Sequence, residues 1–148
     1  MKVKFNKTKI PEISKMIINK ILKMDNKKAR VMALSGEFGT GKTTLTQELA
    51  RQFGIKDNIL SPTFVIMKNY NINLNSKYYS HFKKLIHIDA YRLESHIELL
   101  KIGWQELVED KDNLIIIEWP ERVEDCIPND VCWIKLGHVD DQTRSLEF

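Results

Sequence analysis

One stretch limits what this 148-residue chain can fold into more than any other: Val31–Phe53, VMALSGEFGTGKTTLTQELARQF. Val31–Leu34 is a short apolar run that reads as a buried strand. Gly36-Glu37-Phe38-Gly39-Thr40-Gly41-Lys42-Thr43 then fits G-x-x-x-x-G-K-[ST]. Beyond it Leu45, Leu49, Ala50 and Phe53 recur at helical spacing, and Gly54 supplies a stop. Strand, glycine loop and helix in that order make the motif a physical site. Glycines at 36, 39 and 41 let backbone N–H groups crowd round a phosphate. The start of the following helix adds unpaired donors and a partial positive charge. Lys42 supplies an ammonium for the β- and γ-phosphates, and the Thr43 hydroxyl can ligate Mg²⁺. These residue types predict a nucleoside triphosphate site.

The length suits one domain, residues 1–148, with a proper core. No apolar run approaches the roughly 20 residues that span a bilayer, and the N-terminus lacks the apolar segment of a signal peptide. Cys126 and Cys132 fit neither a disulfide framework nor a zinc spacing. Read as reduced thiols, they point to a cytoplasmic protein. The net charge of +3 is uneven. Residues 1–30 carry ten Lys/Arg against Glu12 and Asp25, or +8, and the rest carry thirteen against eighteen, or −5. A basic front end can meet RNA or an acidic partner, but solvated lysines are the simpler reading, since no aromatics interleave with them.

In chain order, Val3 and Phe5 alternate with lysines as in a short edge strand. Pro11 near a helix start precedes the stripe Ile13, Ile17, Ile21 and Met24. After the phosphate loop and its helix, Pro62 presses Ser61 towards extension, and Phe64–Met67 reads as a strand continuing towards Tyr70. Residues 71–84 form a hairpin-like excursion. Leu85–Asp89 is a second apolar strand, and Glu94–Leu107 is a helix interrupted at Gly103. Leu114–Glu118 is a nearly continuous apolar run, as in a sheet covered on both faces. Val131–Leu136 and Arg144–Phe148 close the chain as two strands. The expected fold is α/β: a P-loop NTPase-like sheet, mostly parallel with antiparallel C-terminal strands, flanked by helices.

Two of the apolar strands end in a carboxylate, Asp89 and Glu118. In open α/β sheets ligands lie beyond the carboxyl ends of the strands. A P-loop enzyme needs an acid there for Mg²⁺ and often a second group to orient the attacking water. Spacing alone leaves open which acid does which.

The ordered set Gly36–Thr44, Ser61-Pro62-Thr63-Phe64, Asp89-Ala90-Tyr91-Arg92-Leu93, Glu98 to Gly103 and Ile117-Glu118-Trp119-Pro120-Glu121 resembles the TsaE (YjeE) family. These are small bacterial ATPases needed for threonylcarbamoyl-adenosine modification of tRNA. The similarity extends from about Thr8 to Arg144. The phosphate loop is generic, whereas the three later motifs in this order are highly specific. The resemblance implies that Gly36, Glu37, Phe38, Gly39, Thr40, Gly41, Lys42, Thr43 and Thr44 bind ATP phosphates. It puts the Mg²⁺ ligands on Thr43 and Glu118 and gives Asp89 a water-orienting or second metal-shell role. Lys42, Asp89 and Glu118 become the catalytic set, and Ser61 and Thr63 sit near the γ-phosphate as a sensor. Trp119 is a family hallmark for partner contact or nucleotide-dependent packing.

The same resemblance implies partners. TsaE-like proteins hydrolyse ATP to reset the TsaB–TsaD complex, whose TsaD subunit modifies adenosine 37, so tRNA is met only through that complex. The Phe5–Thr8 region and the final turn are where adenine contacts are expected. The chain departs from the family pattern at Ala90, in the length of 71–84 and at Ile127-Pro128, none of them phosphate or metal positions. A GTPase is disfavoured because no [NT]-K-x-D motif follows the loop, and a small-molecule kinase would need a lid with several arginines. The stronger rival is a nucleotide-dependent scaffold with negligible turnover. His87 reads as a core or cleft histidine, with a nucleotide or partner contact as the alternative. His81, His96 and His138 read as surface residues, and Trp104 as core. Tyr78-Tyr79 read as solvent-facing packing or a docking patch.

Overall fold

The computed structural model describes residues 1–148. Its strands and helices are β1 (Lys2–Asn6), α1 (Ile10–Leu22), β2 (Arg30–Ser35), α2 (Lys42–Gln52), β3 (Met67–Asn71), β4 (Lys84–Asp89), α3 (His96–Lys101), α4 (Trp104–Glu109), β5 (Asn113–Glu118), β6 (Cys132–His138) and β7 (Thr143–Glu147). All seven strands join one sheet in the order β1-β7-β6-β2-β5-β4-β3. The four central strands β6, β2, β5 and β4 run parallel, while β1, β7 and β3 pair antiparallel towards the edges. The expected mostly parallel sheet is therefore present, with β6 joining β2 in parallel and the antiparallel turn falling between β6 and β7.

Helices cover both faces. On one side α1 presents Ile13, Ile17, Ile18 and Ile21, and α2 presents Leu45 and Leu49, all packing with Met32, Leu34, Leu114, Ile116 and Ile134. On the other side Leu99 of α3 and Trp104 and Val108 of α4 pack on Ala33, Ile86, Ile88, Ile115 and Ile117. A period-2 strand lying between two helical layers must be apolar on both faces. That accounts for β5, every residue of which is buried. Gly103, at φ +91, breaks the expected 94–107 helix into α3 and α4. A Ser95–Glu98 capping box starts α3. Trp104 is buried, its indole N–H donating to the Cys126 carbonyl at 3.0 Å.

Two local expectations are corrected. Thr63–Val65 forms a turn rather than the start of a strand, because the N–H groups of Val65 and Ile66 both donate to the Pro62 carbonyl. Ile66 takes φ +67, rare for a β-branched residue, and the strand begins only at Met67. Phe64 is left 83% exposed. The 71–84 connection does join an antiparallel pair, but Tyr78 is buried rather than solvent-facing. Its ring and that of Phe82 meet Phe53, centroids 5.1 and 5.8 Å apart, so the excursion folds back over the end of α2. No helix is long and apolar enough to cross a membrane.

Candidate phosphate and metal site

The site forms at the carboxyl ends of β2, β5 and β4, which lie side by side and point the same way. Register does the rest. Glu118 is paired with Leu34 on one side and with Asp89 on the other, so both acids sit level with the mouth of the glycine loop. Alternation along β5 turns Ile115 and Ile117 towards α3 and α4, and Leu114, Ile116 and Glu118 towards α2. In β4 the same alternation puts Leu85, His87 and Asp89 on the α2 side. The polar ends of two strands therefore converge on the first turn of α2.

The loop that feeds α2 is shaped by glycine. Gly36 holds φ +145, and a β-carbon there would lie 2.5 Å from the Leu136 carbonyl oxygen of β6. Gly41 holds φ +100 and leaves the start of α2 without a side-chain cap, so its first-turn N–H groups are free to meet an anion. Lys42 is buried, and its Nζ donates to the carbonyls of Gly36 at 2.6 Å and Glu37 at 2.9 Å. The ammonium also lies 4.2 Å from the centre of the Trp119 ring. Burial pushes the Lys42 pKa down, outweighing the opposite pull of Glu118, Asp89 and Glu121. Thr40 turns its hydroxyl onto the Glu37 carbonyl and braces the loop.

Each acid is held differently. The Thr43 hydroxyl donates to Glu118, 3.3 Å from Oε1 and 3.5 Å from Oε2. His87 Nε2 lies 2.9 Å from the same Oε1, with both side chains buried. Asp89 Oδ2 accepts from the hydroxyls of Ser61 at 2.9 Å and Thr63 at 2.7 Å, while Oδ1 accepts from the Tyr91 N–H at 2.9 Å. Thr43 and Glu118 offer hard oxygen donors side by side. Such a pair is the kind of partial oxygen shell that Mg²⁺ accepts, with water and phosphate completing it.

These residues border a cleft of about 470 Å³. Phe38 to Thr44, Ser61, Thr63, Asp89, Glu118 and Trp119 line it, together with Phe5, Lys7, Ile10, Asp141, Gln142 and Arg144 in and beside β1 and β7, further along the sheet. Gly36 and Glu37 stand behind the wall and act through their carbonyls on Lys42. Sequence reasoning did not link His87 to Glu118. It also missed the ring cluster of Phe38, Tyr91 and Trp119, whose centroids lie 4.8 to 5.1 Å apart over the loop. The available signal was positional, because Tyr91 follows Asp89 by two residues and Trp119 follows Glu118 directly. Trp119 itself sits at φ +57, which swings its ring back over Lys42. His138 is exposed, as expected, but its ring N–H donates to the Phe38 carbonyl at 3.1 Å.

The family model for the threonylcarbamoyl adenosine biosynthesis protein TsaE matches residues 7–146. Curated relatives named tRNA threonylcarbamoyladenosine biosynthesis protein TsaE include that of Haemophilus influenzae, 32% identical over 86% of this chain and 75% of its own. The Bacillus subtilis protein of that name is 31% identical over 93% of this chain and 80% of its own. That of Borreliella burgdorferi is 37% identical over 68% and 67%. Among solved structures, the crystal structure of YdiB from Bacillus subtilis superimposes with a TM-score of 0.67 at 25% identity, covering 99% of this chain and 83% of that one.

Proposed function

The chain belongs to the TsaE family, and from that premise we propose that it binds ATP with Mg²⁺ and hydrolyses it as an accessory protein of tRNA threonylcarbamoyladenosine biosynthesis. The biosynthetic role named for its relatives supports the pathway. In this reading the turnover of ATP resets a TsaB–TsaD complex that carries out the modification at position 37, and tRNA is met through that complex.

The observation that carries the reading is the meeting of Thr43 and Glu118 at the head of the glycine loop, with Asp89 on the next strand. Lys42 leaves the Gly36 and Glu37 carbonyls for the β- and γ-phosphate oxygens, which replace the same number of charge-assisted hydrogen bonds. The N–H groups of Gly39 to Thr44 cradle the phosphates. Thr43 and Glu118 would hold Mg²⁺, which when bound would neutralise negative charge on the phosphates. Asp89 accepts a hydrogen bond from the attacking water and aims it at the γ-phosphorus. Ser61 and Thr63, both anchored on Asp89, report the γ-phosphate to the Phe64–Ile66 turn. The base lies at the far end of the cleft, against Phe5 and Ile10 and within reach of Gln142.

Phosphate release from Mg-ATP, measured with and without TsaB–TsaD, tests the proposal. Release stimulated by the complex supports an ATPase. Nucleotide-dependent association without turnover would assign the chain as a scaffold instead.

A further inference from the structure

His87 is one of the least accessible polar groups in the protein: its side chain has no exposure, and Glu118 beside it has 3%. The ring meets Glu118 Oε1 through Nε2 at 2.9 Å, and its Nδ1 has no partner. For Nε2 to donate to Glu118, the ring carries its hydrogen on Nε2, which leaves Nδ1 as an unpartnered acceptor. A buried polar ring with a single partner is costly to keep, and a leucine or isoleucine of similar bulk would pack there without that cost. The neighbouring α2-facing positions of β4 and β5 are indeed Leu85, Leu114 and Ile116.

We propose that His87 is the positioning residue for Glu118. It holds Oε1 beside the Thr43 hydroxyl, so that a divalent cation would meet two oxygens already in place. The inference rests on the reading of Glu118 as a metal-holding carboxylate. Three observations converge on it. His87 and Thr43 meet the same oxygen, Oε1, at 2.9 and 3.3 Å. The strand pairing supplies the reach: His87 is opposite Ile116 and two residues before Asp89, so its ring lies one step below Glu118 on the same face. Finally, Glu118 has no other side-chain donor. With His87 removed its carboxylate is steered by Thr43 alone, at 3.3 to 3.5 Å. Groups that orient a metal-binding carboxylate in this manner affect metal affinity through the ligand they hold, without touching the metal.

The test compares His87→Leu, His87→Gln and Glu118→Gln with the parent. Glutamine carries an N–H to about the place of Nε2, while leucine fills the space with no donor. Binding of a non-hydrolysable ATP analogue is titrated calorimetrically in EDTA and across a Mg²⁺ series. In EDTA, His87→Leu binds the analogue as the parent does, because Lys42 and the loop are untouched. Its Mg²⁺ midpoint rises about tenfold, the low end of what such supporting groups contribute. His87→Gln restores the midpoint to within about twofold, and His87→Leu adds nothing further in a Glu118→Gln background. A His87→Leu midpoint equal to the parent's, where Glu118→Gln does raise it, overturns the positioning role and leaves a packing role. If Glu118→Gln also leaves the midpoint unmoved, the metal reading of Glu118 falls, and this inference falls with it.

Discussion

Gly36→Ala and Gly41→Ala, made separately, should differ in a way that only the geometry of the loop predicts. Both glycines hold positive φ, +145 and +100, so both variants carry backbone strain. A β-carbon at Gly41 would meet nothing within 4 Å, whereas one at Gly36 would lie 2.5 Å from the Leu136 carbonyl oxygen. That oxygen belongs to β6 and cannot swing aside as a side chain would. For Gly41→Ala the strain costs about 1–3 kcal/mol, offset by about 0.4–1 kcal/mol from the stiffer unfolded chain, leaving a loss of about 1–2 kcal/mol. Gly36→Ala adds about 1–3 kcal/mol for forcing a carbon into packed backbone, a total of about 2–5 kcal/mol. At about 2–4 °C per kcal/mol for a chain of this length, Tm falls by about 2–8 °C for Gly41→Ala and about 4–20 °C for Gly36→Ala. Thermal unfolding followed by circular dichroism in nucleotide-free buffer reads both values. Equal melting temperatures for the two variants would refute the close approach of the loop to β6, and with it the placement of the cradle.

Lys42→Ala should weaken ATP binding by about 10- to 100-fold, the worth of a charge-assisted contact of about 1.5–3 kcal/mol; equilibrium dialysis measures it, and undiminished affinity would remove Lys42 from the phosphates. Asp89→Asn should keep ATP affinity, since the Ser61 and Thr63 hydroxyls can rotate to accept from the new amide, yet slow phosphate release. Unchanged turnover there would make Asp89 structural. Trp104→Phe should leave the Cys126 carbonyl, at a half-buried residue, without its donor and cost about 1 kcal/mol, seen as a lower denaturation midpoint with nucleotide affinity intact.

Most of the fold could be read from periodicity. The apolar runs at 31–34, 85–89 and 114–118 became β2, β4 and β5, and the Ile13–Ile17–Ile21 stripe became the buried face of α1. The strand expected at Phe64–Met67 failed because propensity reports only what a residue favours. The double acceptance by the Pro62 carbonyl imposes a turn on residues that would otherwise extend. Tyr78 misled for the opposite reason, since a polar, lysine-rich excursion gives no hint that one ring folds back onto Phe53. In the site, the strand-end acids and the loop were legible one by one, because strand ends and glycine spacing are local properties. The His87–Glu118 contact was not. It depends on which strands are neighbours and in what register, and residues 31 positions apart carry no local sign of either.

The register and the donors around the two acids bear on the roles proposed for them, which spacing left open. Asp89 and Glu118 are directly paired on adjacent strands, about 4.8 Å apart in the pairing direction, and both face α2. Two ionised carboxylates so close repel unless each is neutralised by donors of its own. The donors come from different parts of the chain. Asp89 takes all three of its own from segments next to it in space, Ser61 and Thr63 of the turn before β3 and the Tyr91 N–H, which tie it to the segment that leaves Phe64 exposed. Glu118 takes its donors from Thr43 at the first turn of α2 and from His87 within the sheet, which tie it to the helix proposed to bind phosphate. A carboxylate bound to the phosphate-binding helix is the one suited to share a cation with phosphate. A carboxylate bound to an exposed turn is the one whose displacement by water or by the γ-phosphate would be felt outside the site. The donor sets therefore favour Glu118 for the metal and Asp89 for coupling hydrolysis to the Ser61–Ile66 segment.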